Sequence, residues 1–252
     1  MLLGPEAYAQ NYQQQYERQS EPDLRGQAEQ IFALANQARA RHGLGRLQWD
    51  PALAEAARRH CQLMAREGPI SHQYPGEPDV THRAAAAGAR FSLIEENIAI
   101  GSSPEEIQNE WLHSPPHRAN MLNPDVDRIG TAVVEARGVL YTVEDFSADV
   151  RRLSRTQIEA RVANMIRVSG VRILSNPVEA REACATDNGM PPSRNGMQPL
   201  FLMRWQSSSL DVLPQVLTQR LASGRYRSAE VGSCAPHGDN GFTGYRLAVL
   251  LY

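Results

Sequence analysis

Between Ser71 and Phe146 four signals follow one another in fixed order, and they restrict the fold of this chain more than any bulk property does. Ser71-His72 comes first, then Glu96-Asn97-Ile98-Ala99 with Gly101. A longer run from Trp111 through His113, Ser114, Pro115, Pro116, His117, Arg118 and Asn120 reaches Leu122, and Ile129-Gly130, Tyr141-Thr142 and Phe146 close the series. Imidazoles and carboxylates are costly to desolvate without partners. Convergence of His72, Glu96 and His117 in one compact unit therefore points to a site rather than a core.

Period and punctuation show which elements carry these signals. Leu24, Ala28, Ile31, Ala35 and Ala38 recur at helical spacing, and Gly43 with Gly45 stops that helix. Asp50-Pro51 starts a second helix, the carboxylate capping free N–H groups and the ring fitting the first turn. Leu53, Ala57, Cys61 and Met64 continue its apolar face down to Gly68. Pro69, Pro75, Gly76 and Pro78 force residues 69–80 into a loop, and His72 is carried on it. Ser103 with Glu106 forms a capping box for a short helix over 104–112; Pro115-Pro116 breaks it, and a new turn can restart under His117. Residues 128–134 and 139–146, on either side of Arg137-Gly138, read as a β-hairpin. Helices first and a hairpin last predict mixed α/β layer packing.

Taken in order, residues 28–148 resemble the CAP superfamily (cysteine-rich secretory, antigen 5 and pathogenesis-related proteins; SCP-like), in its compact bacterial branch. The resemblance rests on Leu34 to Arg39 with His42-Gly43-Leu44, on Leu47 to Leu53, on Glu96 to Ala99, and on Trp111-x-x-Ser114-Pro115-x-His117-Arg118-x-Asn120-x-Leu122. Ile129-Gly130, Tyr141-Thr142 and Phe146 complete it. It implies an α+β fold, an α-β-α sandwich, in a protein that is secreted or held at the cell envelope, with an open cleft lined by two histidines and acidic residues. The family's loop histidine falls on His72 and its first glutamate on Glu96. The second glutamate falls on Ser114 and the second histidine, before Tyr-Thr, on Leu140, so two of four cleft positions are replaced. The bacterial histidine of Ser-Pro-x-His is His117. Glu144 is an added candidate, sharing by period-two alternation the strand face of Leu140 and Thr142.

Two neutral imidazoles and a carboxylate suit zinc or another divalent metal, held by His72 and His117 with water completing the shell. The same groups could take a polar or lipid-like ligand without metal. A third reading is hydrolysis of peptide or cell-wall material, through a metal-activated water or with Glu96 as general base. No serine or cysteine has an evident base and orienting partner, so catalysis is permitted rather than indicated. Binding is the leading function, and a protein-interaction module with a vestigial cleft is the remaining alternative. His113 and His117 have zinc-ligand spacing, yet Pro115-Pro116 interrupts the helix this geometry needs. Trp111 reads as core, and Asn97 and Asn120 as partners for backbone groups.

Composition removes other classes. The net charge is -2, with 28 acidic residues against 26 basic, so no broad cationic field attracts nucleic acid. All 26 basic residues are arginine, which excludes lysine Schiff bases and the P-loop lysine, and no nucleotide cofactor is expected. No transmembrane segment or signal peptide is visible: residues 1–22 read as a flexible polar tail, leaving a removed leader or an internal protein. After the domain at 23–148, residues 149–157 read as a linker and 158–252 as a smaller α+β region with helices over 158–168 and 210–221 and strands at 200–205, 228–234 and 245–252. Trp205, Ser208, Leu217, Gly232, Tyr245 and Tyr252 echo Trp111, Ser114, Leu122, Gly130, Tyr141 and the terminal aromatic, which suggests a degenerate copy of half the first domain without its chemical histidines. Cys61 reads as a small buried residue, and a Cys184–Cys234 bridge is a further hypothesis.

Overall fold

The computed structural model describes residues 24–192, 196–236 and 241–252. The tail expected over residues 1–22 lies outside them. The chain divides into two units, Met1–Asp149 and Val150–Tyr252.

In the first unit a helix covers residues 24–41 (α1), burying Ala28, Ile31, Ala35 and Ala38. Gly43 then takes φ 69°, which a residue with a Cβ adopts poorly. A two-residue strand, Gln48–Trp49 (β1), leads into Pro51–Glu67 (α2), where the Asp50 side chain accepts from the N–H groups of Ala52 and Leu53 as the sequence predicts. Val80–Ala86 (α3), Phe91–Gly101 (β2), Pro104–His113 (α4) and Pro115–Met121 (α5) follow. The unit closes with Arg128–Ala136 (β3) and Val139–Asp149 (β4), whose turn puts both Arg137 and Gly138 at positive φ, the requirement of a tight two-residue hairpin. The loop expected over 69–80 ends where α3 begins, and neither α3 nor the strand β2 was expected.

The sheet order is β1-β3-β4-β2, with β1 parallel to β3 and the other pairs antiparallel, so β2 is an edge strand. Alternation divides it into two faces. Ile98, Ala132, Tyr141 and Val143 pack with Ala57, Cys61 and Met64 of α2. Ala99, Ile129, Val133 and Phe146 pack with Ile31 and Ala35 of α1, Ile107 and Trp111 of α4 and Met121 of α5. This is the expected α-β-α sandwich. Gly130 sets its depth, because a Cβ there would lie 2.1 Å from the backbone nitrogen of Ala54.

The second unit contains Arg155–Arg167 (α6), Arg172–Ile173 (β5), Val178–Ala185 (α7), Phe201–Ser207 (β6), Gln215–Ala222 (α8), Ser228–Cys234 (β7) and Tyr245–Leu251 (β8). Its sheet order is β5-β7-β8-β6, again with a parallel first pair and antiparallel others. Val231, Leu247 and Val249 pack with α6 and α8 through Val162, Ile166 and Leu217, while Ala248 and Leu250 pack with Ala180 and Ala183 of α7. A Cβ on Gly232 would lie 2.3 Å from the Ala180 carbonyl carbon, as one on Gly130 would meet α2. The echo therefore extends beyond half a domain: the whole strand order recurs, without counterparts of α3 and α5 among the described residues. Gly130 and Gly232 correspond. Trp111 and Trp205 do not, since one is on helix α4 and the other on strand β6.

The expected linker over 149–157 contracts. Asp149 ends β4, Val150 is buried in the second core, and Ser154 already caps α6 in a capping box with Gln157. Cys184 and Cys234 form a disulfide, with Cα atoms 5.7 Å apart, joining the end of α7 to the end of β7. Counted from the two glycine contacts, they occupy the places of Ala57 and Ala132 in the first unit.

Candidate functional site

Edge strand β2 presents two successive polar residues to opposite sides, and each holds one histidine-bearing segment. Glu96 is buried, and its Oε1 accepts from Nδ1 of His72 at 2.8 Å. A carboxylate only accepts, so neutral His72 carries its proton on Nδ1 and leaves the Nε2 lone pair available. The ring itself is 59% exposed. The other oxygen of Glu96 is taken by Arg83 Nη2 from α3. Arg83 Nη1 also donates to the carbonyls of His72 and Pro78, both at 3.0 Å. Beneath this clamp, Glu77 accepts from Nδ1 of buried His60 at 2.7 Å and from the Tyr74 N–H at 3.1 Å, fixing the loop at a second point.

Asn97, on the other face, donates to the carbonyl of His117 in the first turn of α5 at 3.1 Å. Asn120 donates back to Asn97 Oδ1 at 3.0 Å and to the Glu96 carbonyl at 3.2 Å, tying α5 to β2. The asparagines thus serve the backbone role expected of them. The pKa of His117 is lowered by partial burial and, second, by the charge of His72. Beside His117 runs a groove of about 290 Å³ lined by Ile70, Ile98, Ile100 and Trp111 together with Glu110 and Ser114.

His72 therefore meets Glu96 at the β2 edge, and the backbone of His117 is tied to the next residue of that strand, Asn97. Glu144 lies on the Asn97 side of the sheet, away from Glu96. It shares the face of Thr142 as alternation required, but that face lies under α1, α4 and α5, and the residue is fully buried. Its Oε2 accepts from Asn97 at 3.3 Å, and burial pushes its pKa up to about 8. On the Glu96 face the cross-strand partner is Asp145. Burial, then the Glu96 charge, raises the Asp145 pKa well above the usual carboxylate range, with Arg83 opposing. His113 bonds to the Asn109 carbonyl at the end of α4, apart from α5.

Arg83, Asp145, Glu77 and His60 escaped the sequence reading. Only His60 left a trace there: it sits beside Cys61 in a helix whose apolar stripe is buried, and a buried imidazole needs a partner. Among the described residues, no three His, Cys, Asp or Glu side chains are grouped so as to enclose a metal ion. A cation here would be held by Nε2 of His72 and the His117 ring, with outside ligands completing the shell. Glu96 fits such a site as the carboxylate that orients a ligating histidine through its other nitrogen.

Residues 32–146 match the profile of the CAP family, the Cysteine-rich secretory protein family. The first unit is a CAP domain. It is 34% identical over 113 residues to YkwD, an uncharacterized protein of Bacillus subtilis, which spans 44% of this chain and 44% of that protein. Among solved structures, an extracellular protein containing an SCP domain from Bacillus anthracis is 31% identical, covering 50% of this chain and 41% of its own, with a TM-score of 0.47. An outer surface protein of Borrelia burgdorferi is 22% identical, covering 47% of this chain and 90% of its own, with a TM-score of 0.45. The matching segment is less than half the length of YkwD and of the Bacillus anthracis protein.

Proposed function

We propose that this chain is a secreted or envelope-held binding protein whose CAP domain takes a divalent cation such as zinc between His72 and His117. The observation that carries this reading is the bond from His72 Nδ1 to a carboxylate already clamped by Arg83, which leaves Nε2 unprotonated and directed away from Glu96. Partial burial favours the neutral, ligating form of His117. Export is supported by the Cys184–Cys234 disulfide, a bond that persists in oxidising compartments. Among the described residues no helix is long and apolar enough to cross a membrane.

Both oxygens of Glu96 are engaged, which leaves it poorly placed as a general base and favours binding over hydrolysis. The groove beside His117 favours a second reading, a ligand with a polar end at the imidazoles and an apolar body along Ile70, Ile98 and Ile100. Calorimetric titration of the full chain with zinc tests the first. The wild type binds, and His72→Ala combined with His117→Ala weakens binding at least about tenfold, the scale of lost metal-site groups. Equal binding by both proteins would remove the cation site. An amphiphile whose binding needs both histidines and survives chelation would establish the second reading in its place.

A further inference from the structure

We propose that Arg83 is a positioning residue of this cleft, selecting through Glu96 the Nδ1–H tautomer of His72 that presents Nε2 to a ligand. The inference rests on the reading of the cleft as a cation site for its binding consequence, but not for the tautomer itself.

A neutral imidazole free in water prefers its proton on Nε2, so the opposite tautomer needs an acceptor fixed beside Nδ1. Glu96 supplies the acceptor and Arg83 fixes it. The guanidinium is itself buried, and its two terminal nitrogens divide their work: Nη2 holds Glu96 Oε2, while Nη1 holds the main-chain carbonyls of His72 and Pro78. One planar group thereby sets the carboxylate and the backbone of the histidine it serves. A lysine ammonium, a point charge on a flexible stem, cannot span the same acceptors. With Oε2 occupied, Oε1 is the oxygen left for His72. Losing Arg83 frees Glu96 to rotate toward Asp145, its neighbour across the ladder, and frees the loop at His72 and Pro78.

Nitrogen-15 NMR of the full chain with labelled histidine, near neutral pH, reads the tautomer directly. In the wild type His72 is protonated on Nδ1. In Arg83→Gln it shifts toward the Nε2–H form, Arg83→Lys fails to restore it, and zinc affinity falls by about 10- to 100-fold, as for other groups that orient a ligating histidine. Tyr74→Phe loosens the same loop at the Pro69 carbonyl without touching Arg83 or Glu96, and leaves the His72 tautomer in place. An Nε2–H tautomer in the wild type overturns the proposal without any variant, so it does not depend on Arg83→Gln folding. Retention of Nδ1–H in Arg83→Gln overturns it too, as does loss of that tautomer in Tyr74→Phe. If the tautomer follows Arg83 while the wild type takes up no zinc, the positioning role stands and the cation reading fails.

Discussion

Glu144→Gln separates a carboxyl that serves the fold from one that serves the cleft. Glu144 is fully buried, with Oε2 on Asn97 and Oε1 without a partner, and its pKa is raised from an ordinary 4.5 to about 8. Below the ordinary value, folded and unfolded chains both hold the proton, and the residue makes no difference to stability. Above it the unfolded chain ionises while the folded one does not, so stability falls as pH rises, until the folded carboxyl also ionises near pH 8. The loss is about 1.4 kcal/mol per pH unit, or roughly 4 kcal/mol between about pH 5 and about pH 8. Glutamine keeps the acceptor for Asn97 and cannot ionise, so the variant lacks this part of the decline. Urea unfolding of wild type and Glu144→Gln at the two pH values measures the difference, and Asp145, present in both, cancels to first order. The variant gains stability relative to wild type as pH rises. A constant difference between the two proteins would refute the burial argument, and a loss of zinc binding in Glu144→Gln would return the residue to the cleft.

Gly130→Ala drives a Cβ to 2.1 Å from the backbone of α2 and should cost about 3 kcal/mol or more, seen in thermal melting as loss of the first unit's transition with the second retained. Gly232→Ala, whose Cβ would meet α7 at 2.3 Å, has the reciprocal effect; one transition shifting equally in both variants would contradict two separate cores. Replacing Cys184 and Cys234 together by alanine opens a loop of 50 residues, worth about 4 kcal/mol to the second unit by loop entropy, and places there the alanine pair that the first unit already has at Ala57 and Ala132. Denaturant midpoints measure it, and an unchanged second unit would show that the bridge contributes nothing.

The hairpin was legible because Arg137-Gly138 supplies a turn between two apolar runs, and α2 was legible because Asp50-Pro51 caps it and a regular apolar stripe follows. Strand β2 was not. Its Glu95-Glu96-Asn97 centre breaks any apolar alternation, and the strand is an edge whose polar residues are satisfied by Arg83 and α5 from distant parts of the chain. Period two put Glu144 on the right strand face, but which helices cover that face is a tertiary fact. Likewise, tryptophans and tyrosines in matching order suggested half a repeat, whereas hydrogen-bonded strand order and two glycine contacts show correspondence of the whole sheet. His72, Glu96 and His117 could be chosen as candidates from their motifs. The arginine that joins two of them could not, because nothing local in the sequence connects Arg83 to a carboxylate 13 residues away.

The most direct measurement is anomalous diffraction at the zinc edge from crystals of the full chain grown with zinc. The account predicts one peak in the cleft, about 2.0–2.1 Å from Nε2 of His72 and from a ring nitrogen of His117. A zinc-loaded crystal with its peak on other histidines, or with His72 bonded to metal through Nδ1 and released from Glu96, would contradict it.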